Sequence, residues 1–563
     1  MKGLICSNLV KLSRGGGVTH MSSKKPLLSL ACILALSCVI EANDITNEAS
    51  QLPLNERDTN ILRVTQETTA GITQDQSLAN SRTPLQWTTN DHGNSIKYLN
   101  FSTAYRDSIA FGKFNITFND GTTVETLKID TKAYGNNKKV WTNIENTGSA
   151  TITTLNLKND TKTEFNAGSK SNTITTLNHE AIRLNLKTGS GGTINVTTLN
   201  QSGTAGDTQL FNGVSIQTVN LTAGKFYQYA GTINTLHIKN GTEFRQGLKD
   251  NGTISNDGDG GTITNLTIDN GTFTKAKGSV TGTITNTNGN INNMGNSSIN
   301  TITSTNGNIT NAGTITSLTY TAAPTTKAIQ TKANTDSITN TGIITTLTND
   351  GGHITNSGNG NITNLTNSNG NVNNSANIQT YTQESGNTMQ SGGTIQTLTQ
   401  KGGSFTYAGG QINNLTQSGG SFNNLQQNIS LFTTQGGSLN NIQGTIENLK
   451  ITSGDFELNN MQQGRIANIE IGGNGKININ DNMNIGYHNG ISTFRIASGA
   501  TPTLNFGEVR TATTAQETYA TVKLVDTNNA NTTQARVAID KLTIALVSED
   551  TQIGKSVSLA NSV

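Results

Sequence analysis

The chain carries one recurring pattern, an Ile followed three residues later by a Leu, set among Thr, Asn and Gly. The unit T-I-x-x-L lies around Ile152 and Leu155, Ile174 and Leu177, Ile233 and Leu236, Ile263 and Leu266, Ile315 and Leu318, Ile344 and Leu347, and Ile362 and Leu365. Further on the spacing becomes strict. Ile395, Ile412, Ile429 and Ile446 step by 17 residues, as do Leu398, Leu415, Phe432 and Leu449, and again Phe405, Phe422, Leu439 and Phe456. Gly402-Gly403, Gly419-Gly420, Gly436-Gly437 and Ser453-Gly454 fall between these registers as turns. Three apolar positions and one turn in phase define a tandem repeat. Thr, Asn and Gly are poor helix formers and no stripe of 3.6-residue period is present, so the repeat is not helical.

In Gly261-Thr262-Ile263-Thr264-Asn265-Leu266-Thr267-Ile268-Asp269-Asn270-Gly271-Thr272-Phe273, Leu266 and Ile268 alternate as one strand. Ile263 is out of phase with them, so a bend separates two short strands, and Asn270-Gly271 turns the chain before Phe273. Three short sides make one coil, with inward Ile, Leu and Phe stacked on their counterparts above and below, and Asn able to form hydrogen-bonded ladders at the bends. The fold class expected is all-β: a right-handed parallel β-helix, or β-solenoid, of about 17–22 residues per coil, capped at both ends. The twelve residues of the 17-residue array, from Ile395 to Phe456, are its expected core ladder.

The flanks set the domain plan. Lys24 and Lys25 precede an apolar run from Leu27 to Ile40, and Ile40-Glu41-Ala42 approximates a small-residue cleavage site, the layout of a secretory signal peptide. The run is too short to span a bilayer. Residues 21–42 are thus read as the signal, cut after Ala42; a lipidated Cys38 is the alternative. Residues 1–20 read as an upstream extension to a true start at Met21. Residues 43–86 form a polar lead, 87–144 an aromatic-rich N-terminal cap that includes Trp87 and Trp141, 145–490 the repeat rod, and 491–563 a C-terminal β cap.

Composition changes this picture in one respect. Of 563 residues 32% are hydrophobic, with 60 Gly counted apart from these, and only 13% are charged, where a globular domain is about a quarter charged. With 5 Pro and no Gly-X-Y period, collagen is excluded. A solenoid needs only about three inward apolar residues per coil, so the low apolar fraction suffices. Beyond Ala42 the chain has 33 basic and 35 acidic residues. That near-neutral body has no electrostatic grip on phosphate backbones, and nucleic acid is excluded as a partner. Cys6, Cys32 and Cys38 all precede the expected cut, leaving a chain without cross-links to hinder threading through a second membrane.

The signal, the Cys-free mature chain and the T-I-x-x-L coils with G-G-x-F turns together resemble the passenger domain of bacterial type V autotransporters of the pertactin-like, adhesin type. The resemblance covers about residues 43–563 in style and implies a β-helix exported through an outer-membrane barrel to the cell surface. That family ends in a translocator of alternating strands with a terminal aromatic residue. This chain stops at Ala560-Asn561-Ser562-Val563, so the barrel is expected to be missing from it or supplied separately. A two-partner-secreted filamentous adhesin is the runner-up, though no NPNG-type secretion signature is present.

Catalytic chemistry finds little support. From Gly278 to Thr326 there is no Asp, Glu, Lys, Arg or His, and residues 351–446 carry only His353, Glu384 and Lys401. His179-Glu180-Ala181-Ile182-Arg183 has Arg where a zinc-protease helix needs its second His. Asp257-Gly258-Asp259-Gly260 lacks the ligand count of a calcium loop. Gly472-Gly473-Asn474-Gly475 has Ile477 where a calcium repeat places Asp. The sequons at Asn220, Asn265 and Asn414 follow from composition. No enzyme, metal or cofactor is expected. The function expected is a secreted, non-enzymatic surface protein mediating adhesion to a host or bacterial cell-surface ligand, with a membrane-active toxin-like passenger as the alternative. A minor alternative is an ice-binding solenoid: Thr262-Ile263-Thr264, Thr283-Ile284-Thr285, Thr301-Ile302-Thr303 and Thr314-Ile315-Thr316 place Thr on both sides of Ile, but step unevenly by 21, 18 and 13.

Overall fold

The computed structural model describes residues 111–132, 139–146, 148–322, 337–460, 464–480, 491–497 and 500–510, together with the backbone of strands Ile45–Thr46, Ile61–Val64, Gly71–Asp75, Leu85–Thr89, Ser95–Ala104, Lys523–Asp526 and Arg536–Thr543. The expected signal at 21–42 with its cut at Ala42, the extension at 1–20 and much of the lead and C-terminal segments lie outside the described residues. What is described is all-β: parallel strands stacked as a β-solenoid of about 18 turns. The chain divides into two compact units at Thr264.

A coil of the first unit shows how the sequence makes the fold. In Ser171–His179, Asn172, Ile174, Leu177 and His179 are buried, while Thr175 and Thr176 face outward in succession. Strict alternation would bury every second residue, so two consecutive outward residues mark a corner. The corner lies inside one continuous strand rather than between two. Ala181 then points inward, and Arg183–Lys187 buries Leu184 and Leu186 as a further side. One coil on, Thr193–Gln201 repeats the first strand with Ile174 on Val196 and Leu177 on Leu199.

In the second unit, Asn361–Asn367 buries Ile362, Leu365 and Asn367, and Asn371–Asn374 buries Val372 and Asn374. The 17-residue array holds its register: Ile395 lies on Ile412, Leu398 on Leu415, Phe405 on Phe422, Leu415 on Phe432, Phe422 on Leu439, Ile429 on Ile446 and Phe432 on Leu449. All twelve expected ladder residues are buried, at no more than 2% exposure. The rings of Phe405 and Phe422 stack 5.0 Å apart. At the last step the column differs from expectation. Leu439 lies on Leu458, and Phe456 lies on Gly437. The turn through Ser453-Gly454 is two residues longer than the one through Gly436-Gly437, so the partner moves by one inward position.

Coil length varies more widely than the inward pattern. Register partners differ by 16 residues at Ile299 and Ile315, 22 at Ile152 and Ile174, 28 at Val124 and Ile152, and 29 at Ile315 and Ile344. Strands in both segments expected as caps take part in the same parallel register: Ser95–Ala104 pairs with Thr122–Lys132, Phe111–Phe118 with Lys139–Asn146, and Ile491–Ile496 with Arg465–Ile471.

The core is not wholly apolar. Asn293, Asn311, Asn340, Asn356 and Asn374 face inward at 0–1% exposure. Each donates its Nδ2 to the next residue of the column, at 2.8, 2.8, 2.8 and 2.7 Å, and Asn374 donates to Gln390 Oε1 at 2.6 Å. A second inward column follows the rule Asn/Gln-x-x-Gly. Asn349, Asn367, Gln383, Gln400 and Gln417 each donate to the carbonyl of the glycine three residues on, at 3.0–3.3 Å. Glycine is needed there because a Cβ at Gly370 would come within 2.1 Å of the Asn349 amide. The stack gives every amide nitrogen of the two columns an acceptor, which offsets the cost of burying it, while the buried side-chain oxygens of Gln383, Gln400 and Gln417 accept no hydrogen bond among the described residues.

Candidate functional surfaces

Among the described residues of the first unit, the largest departure from a plain coil is the excursion Gly247–Gly261. The strands Lys225–Gln228 and Glu243–Gln246 lie in register beneath it, with Phe226 on Phe244 and Tyr227 on Arg245. Their inward residues, Phe226 and Phe244, stack at 4.9 Å and fix the strands. Their outward residues grip the loop. Tyr227 Oη donates to Asp250 Oδ1 at 2.5 Å, with Lys225 Nζ 3.5 Å from the same oxygen. Arg245 Nη1 donates to the Lys249 carbonyl at 3.1 Å and the Asp250 carbonyl at 2.7 Å. Its Nε donates to Glu243 at 2.6 Å, and the guanidinium lies 5.8 Å from the Tyr227 ring centroid.

Above these anchors the loop closes on itself. Leu248 and Ile254 form an antiparallel bridge, and the Lys249 amide donates to the Thr253 carbonyl at 2.9 Å. Gly252 makes the tip, its amide bonded to the Lys249 carbonyl at 3.0 Å and its φ of 79° in the left-handed region. Asn251 Oδ1 accepts from the Thr253 amide and hydroxyl. The loop returns through Asp257-Gly258-Asp259-Gly260. Asp257 accepts from Ser255 Oγ at 2.9 Å and pairs with Lys249 at 3.3 Å, while Asp259 accepts from the Gly261 amide at 2.8 Å. These carboxylates serve their own turn. Gly258 is required because a Cβ would meet the Tyr229 carbonyl at 2.4 Å. The product is a braced loop whose Leu248 is buried while Ile254 stands 49% exposed.

The electrostatics follow from this bracing. The Tyr227 hydrogen bond holds the Asp250 carboxyl below its ordinary range, and the Ser255 and Lys249 contacts do the same for Asp257. Burial drives the Tyr227 hydroxyl far up and the Tyr229 hydroxyl up to about 12. Below the loop, Arg183 donates twice to Asp207, from Nε at 2.8 Å and from Nη2 at 2.7 Å.

The other residues singled out in the sequence have structural settings. His179 is fully buried, its Nδ1 3.0 Å from Thr208 Oγ1, and burial lowers its pKa to about 4. Glu180 pairs with Lys158 at 3.3 Å. Gly475 closes a turn onto the Gly472 carbonyl at 3.1 Å, and Ile477 is core. Asn220 belongs to an outward amide ladder, donating to Asn200 at 2.8 Å; Asn265 and Asn414 are exposed. Among the described residues, no group of three or more His, Cys, Asp or Glu is placed to hold a metal ion.

The second unit displays a different surface. Outward residues next to the inward Leu position form one column across ten coils: Thr267, Thr285, Thr303, Thr319, Thr348, Thr366, Thr382, Thr399, Thr416 and Thr433. Two residues earlier runs a parallel column, Thr283, Thr301, Ser317, Thr346, Asn364, Thr380, Thr397 and Asn414. The uneven T-I-T steps in the sequence have a simple cause. Ile284 and Ile302 occupy the Leu position, whereas Ile315 lies on Ile299 at the preceding Ile position, so the series mixes two sides of the coil. The column is carried by the residue after each Leu, a position that the T-I-T unit does not isolate.

These features place the chain among parallel β-solenoid proteins. No family model, curated protein or solved structure matches it.

Proposed function

We propose that this chain is a non-enzymatic, secreted surface protein, an adhesin-type passenger of the type V route, which contacts a ligand on a host or neighbouring cell through the excursion Gly247–Gly261. The observation that carries this reading is the braced loop. A loop held by Tyr227, Arg245 and its own bridge is ordered before it meets a partner, so binding costs little conformational entropy. Its exposed Ile254, in one loop with Lys249, Asn251 and Thr253, has the composition of an interface anchor with a polar rim. The signal-like segment at 21–42 and the Cys-free remainder support export.

The test is binding of the purified chain from Asn43 onward to cultured epithelial cells and to the producing cells. Replacing Lys249–Asp257 by a short Gly-Ser linker, or Ile254→Asp alone, abolishes binding while the far-ultraviolet circular dichroism is unchanged. Undiminished binding by both variants refutes the assignment to this loop. Leakage of dye-loaded lipid vesicles without cell binding favours the toxin-like alternative.

A further inference from the structure

The double Thr column of the second unit has no part in that reading. We propose that it is a second binding surface, and that its ligand is the ordered water of an ice face. Neighbouring coils of a parallel sheet are about 4.8 Å apart and residues i and i+2 about 6.6 Å apart, so the two columns present hydroxyls, with amides at Asn364 and Asn414, on a two-dimensional grid. A ligand that is itself periodic can engage many points of such a grid at once, and one periodic in two directions engages both columns.

The chemistry of the grid selects among periodic ligands. None of the ten hydroxyls from Thr267 to Thr433 makes a hydrogen bond to another described residue, so all are free to bond outward. The corresponding outward column of the first unit is different: Asn178, Asn200 and Asn220 each donate to the preceding residue at 2.8–3.0 Å and are satisfied within the protein. Thr is β-branched and stiff at χ1, so each position offers a methyl and a hydroxyl with little rotamer freedom to lose. The eighteen positions of the two columns carry no charged side chain, matching an uncharged lattice and leaving no tightly held ionic hydration shell in its way. Nor do they offer an aromatic ring on which a sugar polymer could stack. Tyr381 and Phe432, the aromatic residues between the columns, point inward and are fully buried. The change in coil length from 16 to 29 residues does not break the grid, because Thr319 remains the register partner of both Thr303 and Thr348.

The experiment measures how much of the purified chain is taken into a slowly grown ice ball. The wild-type chain is expected to enrich in the ice fraction. The double variant Thr366→Tyr/Thr399→Tyr is expected to be excluded like an unrelated folded protein, and Thr176→Tyr/Thr198→Tyr in the first unit to enrich as the wild type does. Circular dichroism checks folding, and a single Thr399→Lys variant, with the same expected exclusion, serves if the double variant does not fold. Exclusion of the wild-type chain, or equal uptake of the folded Thr366/Thr399 variant, overturns the proposal. So does retention on microcrystalline cellulose with exclusion from ice.

Discussion

Replacing Asn356 by Leu separates two accounts of the core, because they predict opposite signs. Asn356 is fully buried, so a core ranked only by hydrophobicity would gain from Leu, by about 2 kcal/mol for a side chain taken fully out of water. The ladder predicts a loss. Asn356 accepts from Asn340 at 2.8 Å, and donates to Asn374 at 2.7 Å and to the Asn377 carbonyl at 3.2 Å. With Leu in place, Asn340 keeps one acceptor, the Gly342 carbonyl at 3.2 Å, and Asn374 Oδ1 keeps only a 3.4 Å contact from the Ala376 amide. Stripping a buried polar group of its partner costs about 1–3 kcal/mol, and three groups are affected, so the penalty of about 3–9 kcal/mol exceeds the apolar gain by about 1 kcal/mol or more. In a repeat array such a change acts on its nearest neighbours. Hydrogen exchange followed by mass spectrometry should therefore show amides of Ser337–Asn340, His353–Asn356 and Asn371–Asn374 exchanging roughly fivefold faster or more, since 1.4 kcal/mol is a factor of ten. Asn364→Leu, at an exposed position one coil side away, should leave these rates within about twofold of wild type. Protection retained or increased in Asn356→Leu would refute the ladder as a source of stability.

Two further outcomes follow from the interior. Burial lowers His179 to about 4 from 6.5, so the unfolded chain takes up a proton first as pH falls. The first unit keeps its full stability above about pH 6.5 and loses about 3 kcal/mol by pH 4, with no further change from this group below that. Protection of the Ser171–His179 and Thr193–Gln201 amides, taken as the exchange rate relative to the intrinsic rate at each pH, should fall across that interval in the wild type and stay flat in His179→Leu; a flat wild-type protection profile would contradict the burial of a neutral imidazole. Phe422→Ala removes a ring stacked on Phe405 at 5.0 Å and should cost about 3–5 kcal/mol, read as protease cleavage between 398 and 439 at a concentration that leaves the wild type intact. Equal resistance of the two chains would show that the coil closes over the space.

Much of the architecture is legible in the sequence because inward positions must repeat in register. I-x-x-L encodes a corner, the 17-residue step encodes coil length, and Asn was expected to stack at bends. What escaped reading depends on turn length, which apolar spacing does not report. Two extra residues near Ser453-Gly454 moved Phe456 from its expected partner to Gly437. The T-I-T series is uneven for a separate reason, as Ile serves at two positions of the coil. Asn367 and Asn364 show the deeper difficulty: both are Asn in one strand, yet one is core and the other exposed, and only counting from Leu365 and toward Gly370 tells them apart. The braced loop was hidden because Tyr227, Arg245 and Asp250 are brought together by stacking, at spacings of 18 and 5 residues in sequence.

Both surfaces rest on one claim, that specified residues of successive coils lie side by side in parallel register. The most direct measurement is disulfide formation in a chain whose Cys6, Cys32 and Cys38 are replaced by Ser, which leaves no other thiol. The pair Thr399→Cys and Thr416→Cys occupies register partners about 4.8 Å apart, within reach of a disulfide, whereas Thr382→Cys and Thr416→Cys are two coils apart, at about 9.6 Å. The account predicts rapid, complete oxidation of the first pair in the folded chain and none of the second. Oxidation of both at similar rates, or of neither, would contradict it.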